Sequence, residues 1–172
     1  MIYDKILVPF DTSKPSEAAL DHAISIAKMT SISLSFDSTV DNYTVNVILL
    51  YVVQDIPVPI TFGVGLFKSK KTGDMLTLEQ YLKDIEMEIK IEAKNKLEDK
   101  IKKIQSSGFI LQSKVLNGDP AEEILKFSES EKIKLIVMGN VGLKGISKIK
   151  TLGSVSRNVL ENAKCPVLIV HS

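Results

Sequence analysis

At 172 residues, with 44% apolar and 25% charged side chains, the chain has the make-up of a soluble globular protein and the length of one domain with a full hydrophobic core. Its 22 basic and 21 acidic residues leave a net charge of +1, which gives nucleic acid or an anionic membrane no electrostatic footprint. The single cysteine, Cys165, excludes an intramolecular disulfide, no apolar run approaches the roughly 18 residues of a membrane span, and Asp4 and Lys5 interrupt any signal-like start, so the expected location is the cytoplasm.

Residues 2–9 (IYDKILVP) read as a first strand with Ile6, Leu7 and Val8 buried. Asp11, Thr12 and Ser13 follow, and Pro15 suits the first turn of a helix. Ala19, Ala23, Ile26 and Ala27 recur at helical spacing, and this helix is expected to end near Met29. Residues 30–46 and 55–76 read as irregular insertions, the first an extra hairpin or loose strand. The second contains a long loop with two prolines and three glycines over 55–74. Between them, residues 47–53 (VILLYVV) form a continuous apolar run, the pattern of a central parallel strand.

From Leu78 to Ile104 apolar residues step by three or four, which predicts a helix over about 77–106 whose first turns overhang or break. Gly108 stops it. Residues 109–116 alternate apolar with polar, and Gln112 and Lys114 suit an edge strand. Asp119, Pro120 and Glu122 predict a capped helix start with a capping box. Residues 133–138 (IKLIVM) are a buried strand, 155–163 a short helix, and 166–171 (PVLIVH) a last strand.

Strands and helices therefore alternate, which gives a mostly parallel sheet with helices on both faces. A ligand of such a sheet sits beyond the carboxyl ends of the strands, where the winding reverses. Two loops are candidates for that place, 9–13 and 139–154, and both face one crevice if the winding reverses between their strands. The second carries Gly139, Gly142, Gly145 and the pair Gly153–Ser154 ahead of a helix. Two readings fit it. Glycines let the backbone approach a phosphate at a helix start, or they serve as turn residues in a mobile connection.

The opening KILVPFDTS, the glycine loop and the closing GSVSRNVLENAKCPVLIV together resemble the universal stress protein family. The resemblance implies a Rossmann-like open parallel five-stranded sheet of order 3-2-1-4-5, so the winding reverses between the first and fourth strands. It implies binding of ATP, AMP, cyclic AMP or another adenine nucleotide, with Mg²⁺. The family motif Gly-x2-Gly-x9-Gly-Ser/Thr carries over to Gly139, Gly142, Gly153 and Ser154, with the Val155 N–H beside them. Asp11 matches the acidic residue near ribose, phosphate or metal. Pro9 and Phe10 match the first-strand wall, and Val47 the second-strand residue beside adenine. One departure stands out. Ten residues separate Gly142 from Gly153 here, so the extra residue either bulges out or turns Gly153–Ser154 away from the phosphate. A branch of the family that keeps the fold without the motif is therefore the alternative.

Each candidate has a plain structural role as well. Asp11 can cap the turn into the first helix, and Ser154 can cap the last one. Lys144, Lys148 and Lys150 either neutralise phosphates or form a solvated face. His22 and His171 lack a Ser or Cys partner, and Cys165 reads as filler before Pro166. No water-activating base is evident except Asp11, so efficient hydrolysis is not expected; a slow Mg²⁺-dependent hydrolase is the enzyme alternative. The last strand, Val167–Val170, is an apolar unguarded edge, and a homodimer through it is expected both physically and by resemblance. The sequence names no protein partner. It reads as a stress-linked nucleotide switch or as a nucleotide-free dimerising protein.

Overall fold

The computed structural model describes residues 2–35, 44–55, 65–69, 72–104, 108–142 and 152–171. Its elements in chain order are β1 (Lys5–Pro9), α1 (Lys14–Ser35), β2 (Val45–Val53), β3 (Phe67–Lys68), β4 (Met75–Leu76), α2 (Leu78–Lys103), β5 (Phe109–Asn117), α3 (Pro120–Ser130), β6 (Leu135–Gly139), α4 (Ser154–Asn162) and β7 (Val167–Val170). Five strands form one parallel sheet in the order β5-β2-β1-β6-β7. Setting aside the hairpin β3–β4, this is the expected order 3-2-1-4-5. The winding reverses between β1 and β6, so their carboxyl ends flank one crevice.

The inner strands β1, β2 and β6 are largely buried on both faces, which is why they read as continuous apolar runs, whereas edge strand β5 alternates buried or half-buried with exposed residues. One face packs Ile6, Val8, Val45, Val47 and Leu49 against Leu20, Ala23 and Ala27 of α1 and Leu97 of α2. The other packs Leu7, Ile48, Leu50, Ile136 and Met138 against Ile124 of α3 and Val159 of α4. The small alanines of α1 bring it close to the sheet. Edge positions go to β5 and β7, and Gln112 and Lys114 are exposed on β5.

Several boundaries differ from the sequence reading. Helix α1 runs on through Ser35, because the alternating stretch after Met29 still places Leu34 in the core at helical spacing. The insertion at 30–46 thus begins as helix and ends as β2; residues 36–43 lie outside the described residues. The second insertion contains the β3–β4 hairpin, braced by Phe67 stacking on Tyr81 of α2 at 5.4 Å between ring centroids. Helix α2 is continuous, with Thr77 and Gln80 closing a capping box. Its 26 residues reach about 39 Å. At α3, Asp119 accepts from the N–H groups of Ala121 and Glu122, both at 3.0 Å. The Glu122 carboxylate instead meets Lys126 at 3.2 Å.

Candidate functional site

A cleft of about 480 Å³ opens at the carboxyl end of the sheet. Of the residues singled out from the sequence, Pro9, Phe10, Asp11, Gly139, Gly142, Gly153, Ser154 and Val155 all line it. Val47 does not. It is fully buried in register with Ile6, on the α1 side of the sheet. The cleft wall from β2 is instead Leu50, Tyr51, Val52 and Val53, because only the last residues of β2 reach the carboxyl edge. The lysines at 144, 148 and 150 lie outside the described residues. His22 and His171 are exposed and do not line the cleft. Cys165 is also outside it, with burial pushing its thiol above the usual range.

The loop after β1 presents the acidic group. Thr12 adopts a left-handed φ of 68°, costly for a β-branched residue. That turn lets Asp11 Oδ1 accept the N–H of Ser13 at 3.1 Å. The carboxylate thereby leans toward the second loop, where Gly142 meets it. A Cβ on Gly142 would lie 2.7 Å from Asp11 Oδ2.

Gly145 lies outside the described residues; the other three glycines of the loop, Gly139, Gly142 and Gly153, serve three different purposes, and none of these adopts a left-handed φ. Turn geometry is therefore not what they supply. Gly139 is a packing residue: a Cβ there would meet Pro15 Cβ at 2.5 Å and the Pro15 carbonyl carbon at 2.8 Å. It lets the end of β6 lie against the start of α1. Gly142 makes room for Asp11. At Gly153 an added Cβ would meet only ordinary contacts, the nearest at 3.5 Å, and this residue is the N-cap of α4 without a capping side chain. Ser154 is consequently the first helical residue rather than the cap.

Sequence reasoning missed the knot that closes this loop. The Asn140 carbonyl accepts the Gly153 N–H at 2.8 Å and the Ser156 hydroxyl at 2.6 Å. The Asn140 N–H donates to the Val170 carbonyl at 2.9 Å. Both ends of the loop are thus pinned to one residue, itself tied to β7. Gly142, Gly153 and Ser154 face one cleft despite the extra residue, which falls within a loop whose ends are fixed. An Asn before the loop and a Ser in the first turn of the helix were the only sequence cues to this tie.

Chemically, the cleft combines apolar walls (Leu50, Val52, Ile124, Met138) with the first turn of α4 and one carboxylate. Helix N-terminal N–H groups suit an anion. Asp11 is the one charged side chain among the described lining residues.

The family described as the universal stress protein family matches this chain over residues 2–171. Universal stress protein MJ0531 of Methanocaldococcus jannaschii is 36% identical over 169 residues, spanning 98% of this chain and 82% of that one. Universal stress protein MJ0577 of the same organism is 31% identical over 177 residues, spanning 99% and 96%. The solved structure of MJ0577 shares 28% identity at a TM-score of 0.72, covering 100% of this chain and 98% of that one. Two further structures share the fold: a universal stress protein in complex with cAMP (23% identity, TM-score 0.55, 99% and 98% covered) and one from Archaeoglobus fulgidus in complex with dAMP (22%, 0.56, 99% and 99%). With a family model that spans residues 2–171 and relatives more than 30% identical along nearly its whole length, the chain belongs to the universal stress protein family.

Proposed function

We propose that this protein binds an adenine nucleotide in the crevice between β1 and β6, with its phosphates at the first turn of α4, and acts as a homodimeric stress-response switch. The observation that carries this reading is the convergence of Ser154, Val155, Gly142 and Asp11 on one cleft, at a helix N-terminus with no side-chain cap. A phosphate there receives N–H donors that nothing else in the helix uses. The apolar wall of Pro9, Val52 and Met138 suits a base. The adenine class is supported by the cAMP and dAMP bound to two proteins of this fold.

Mg²⁺ fits as a companion of the nucleotide. Among the described residues no group of three or more His, Cys, Asp or Glu could hold a metal. Mg²⁺ commonly takes one carboxylate together with phosphate oxygens and waters, and Asp11 supplies one such carboxylate beside the loop. The ion would screen phosphate charge from Asp11. The chain's own residues orient the ligand: the α4 N–H groups hold phosphate, and Asp11 takes ribose hydroxyls or the ion.

Dimerisation through β7 completes the proposal. Leu168 is exposed on this edge strand, whose outer side pairs with no other described strand. No described helix is long and apolar enough to cross a membrane, and the cytoplasm is the compartment we assign.

The test is nucleotide capture. Purified protein is incubated with an equimolar mixture of ATP, AMP, cAMP, GTP and CTP with Mg²⁺, desalted and denatured, and the released nucleotides are identified by mass spectrometry. Enrichment of adenine nucleotides supports the reading. Equal retention of all bases, or none, contradicts it.

A further inference from the structure

The cleft extends beyond the part that phosphate and sugar would occupy. Side chains of β2 alternate between the faces of the sheet. Leu50 and Val52 belong to the α3–α4 face and Tyr51 to the α1–α2 face; Val53 follows Tyr51 by alternation. All four line the cleft, so it wraps the carboxyl end of β2 and reaches both faces. On the α1–α2 face it is bounded by Ile89 of α2.

That arm exists because α2 stands off the sheet. Its buried residues, Ala93 and Leu97, are both in the C-terminal half. From Leu78 to Glu92 none is buried. The stacked pair Phe67–Tyr81 ties the N-terminal half to the β3–β4 hairpin, and the Thr77 capping box closes its first turn. Among the described residues, the half-buried Tyr51 and Ile89 line a gap between helix and strand, and Val53 beside them is only 3% exposed. Its walls, among the described residues, are apolar apart from the Tyr51 phenol and the neighbouring Gln54 amide. Walls facing a gap lack contacts that an apolar guest would supply.

We infer that this arm receives an apolar group carried on the base, so that the ligand class is an adenine nucleotide bearing a hydrocarbon or aromatic substituent on its exocyclic nitrogen. This rests on the nucleotide reading above. The phosphate lies at α4, on the β6 side of the reversal. Across β1 the cleft ends at β2, so the base lies there and its outer edge faces the arm. Unsubstituted adenine leaves the arm unfilled.

The test compares ATP with N6-benzyl-ATP, each with Mg²⁺, on the native protein, on Ile89→Trp, which fills the arm, and on Ile89→Ala, which widens it. The benzyl compound is expected to bind the native protein about tenfold or more tighter than ATP, the scale for burying one ring. Ile89→Trp is expected to remove that preference while ATP binding stays within about twofold, and Ile89→Ala to weaken the benzyl compound alone. Equal affinities in the native protein, or a preference that survives Ile89→Trp, overturn the inference and leave nucleotide binding standing. Failure of the native protein to bind either compound overturns both.

Discussion

The carboxylate of Asp11 fills the side of Gly142 where a side chain would start: a Cβ there would sit 2.7 Å from Oδ2. The first residue follows β1 and the second follows β6, the two strands that flank the reversal. Their contact joins the acidic loop to the glycine loop across the crevice. It explains why a glycine stands at 142 without any left-handed turn to make.

Gly139 is expected to behave differently from Gly142. Its missing Cβ faces Pro15, including backbone 2.8 Å away, and backbone cannot swing aside. Gly139→Ala should destabilise the fold by about 1–3 kcal/mol, the usual cost of overpacking. Urea denaturation would show this as a lower midpoint with an unchanged slope. A midpoint equal to the native protein's would contradict the packing role.

Gly153→Asp tests the helix start. The backbone is extended at φ −64° and ψ 164°, a conformation open to any residue, and the surrounding contacts leave room. An Asp there caps α4 and complements its dipole, stabilising the fold by about 0.5–1 kcal/mol. The same carboxylate would occupy the N–H groups that the proposed phosphate site uses. A higher melting temperature together with lost nucleotide affinity is the expected pair of results. Retained affinity would place the phosphate elsewhere.

At β7, Leu168→Lys puts a charge on the exposed apolar edge. Edge lysines oppose strand pairing. Light scattering after gel filtration should report a dimer for the native chain and a monomer for the variant. A variant that remains dimeric would move the interface away from β7.

Acid should weaken the tie between β1 and the end of α3. The Lys5 ammonium donates to Glu131 at 2.6 Å, and this bond holds the Glu131 carboxyl below its ordinary value of 4.5. A carboxyl depressed in the folded state adds stability that is present above its unfolded pKa and is lost as pH falls through the folded one. The melting temperature should therefore drop more between pH 6 and pH 3 in the native protein than in Glu131→Gln. The difference should be small, since the pair is solvent-exposed and salt screens it. Parallel pH profiles would show that the pair adds nothing.

The fold was legible because its signals are local and repeated. Continuous apolar runs marked β1, β2 and β6, helical periodicity marked α1 and α2, and Asp119–Pro120 marked the start of α3. What the sequence left open depends on where elements meet. Positional resemblance does not say where the sheet's carboxyl edge falls, so Val47 is matched to a wall that Leu50, Tyr51, Val52 and Val53 form. A glycine does not say what approaches it, so Gly139 and Gly142 look alike until Pro15 and Asp11 separate them. The knot of Asn140 with Gly153 and Ser156 joins residues across a whole loop, which periodicity does not register.

The most direct test is calorimetric titration of Mg²⁺-ATP into the native protein and into Gly142→Val. A valine at 142 pushes Asp11 out of the crevice and fills the space beside the loop, while the clash falls on the end of a side chain that can turn away. Saturable binding by the native protein, lost or weakened at least about tenfold in a variant that still melts cooperatively, is what the two-loop crevice predicts. No binding at millimolar ATP, or equal binding by both proteins, would contradict a nucleotide site between Asp11 and Gly142.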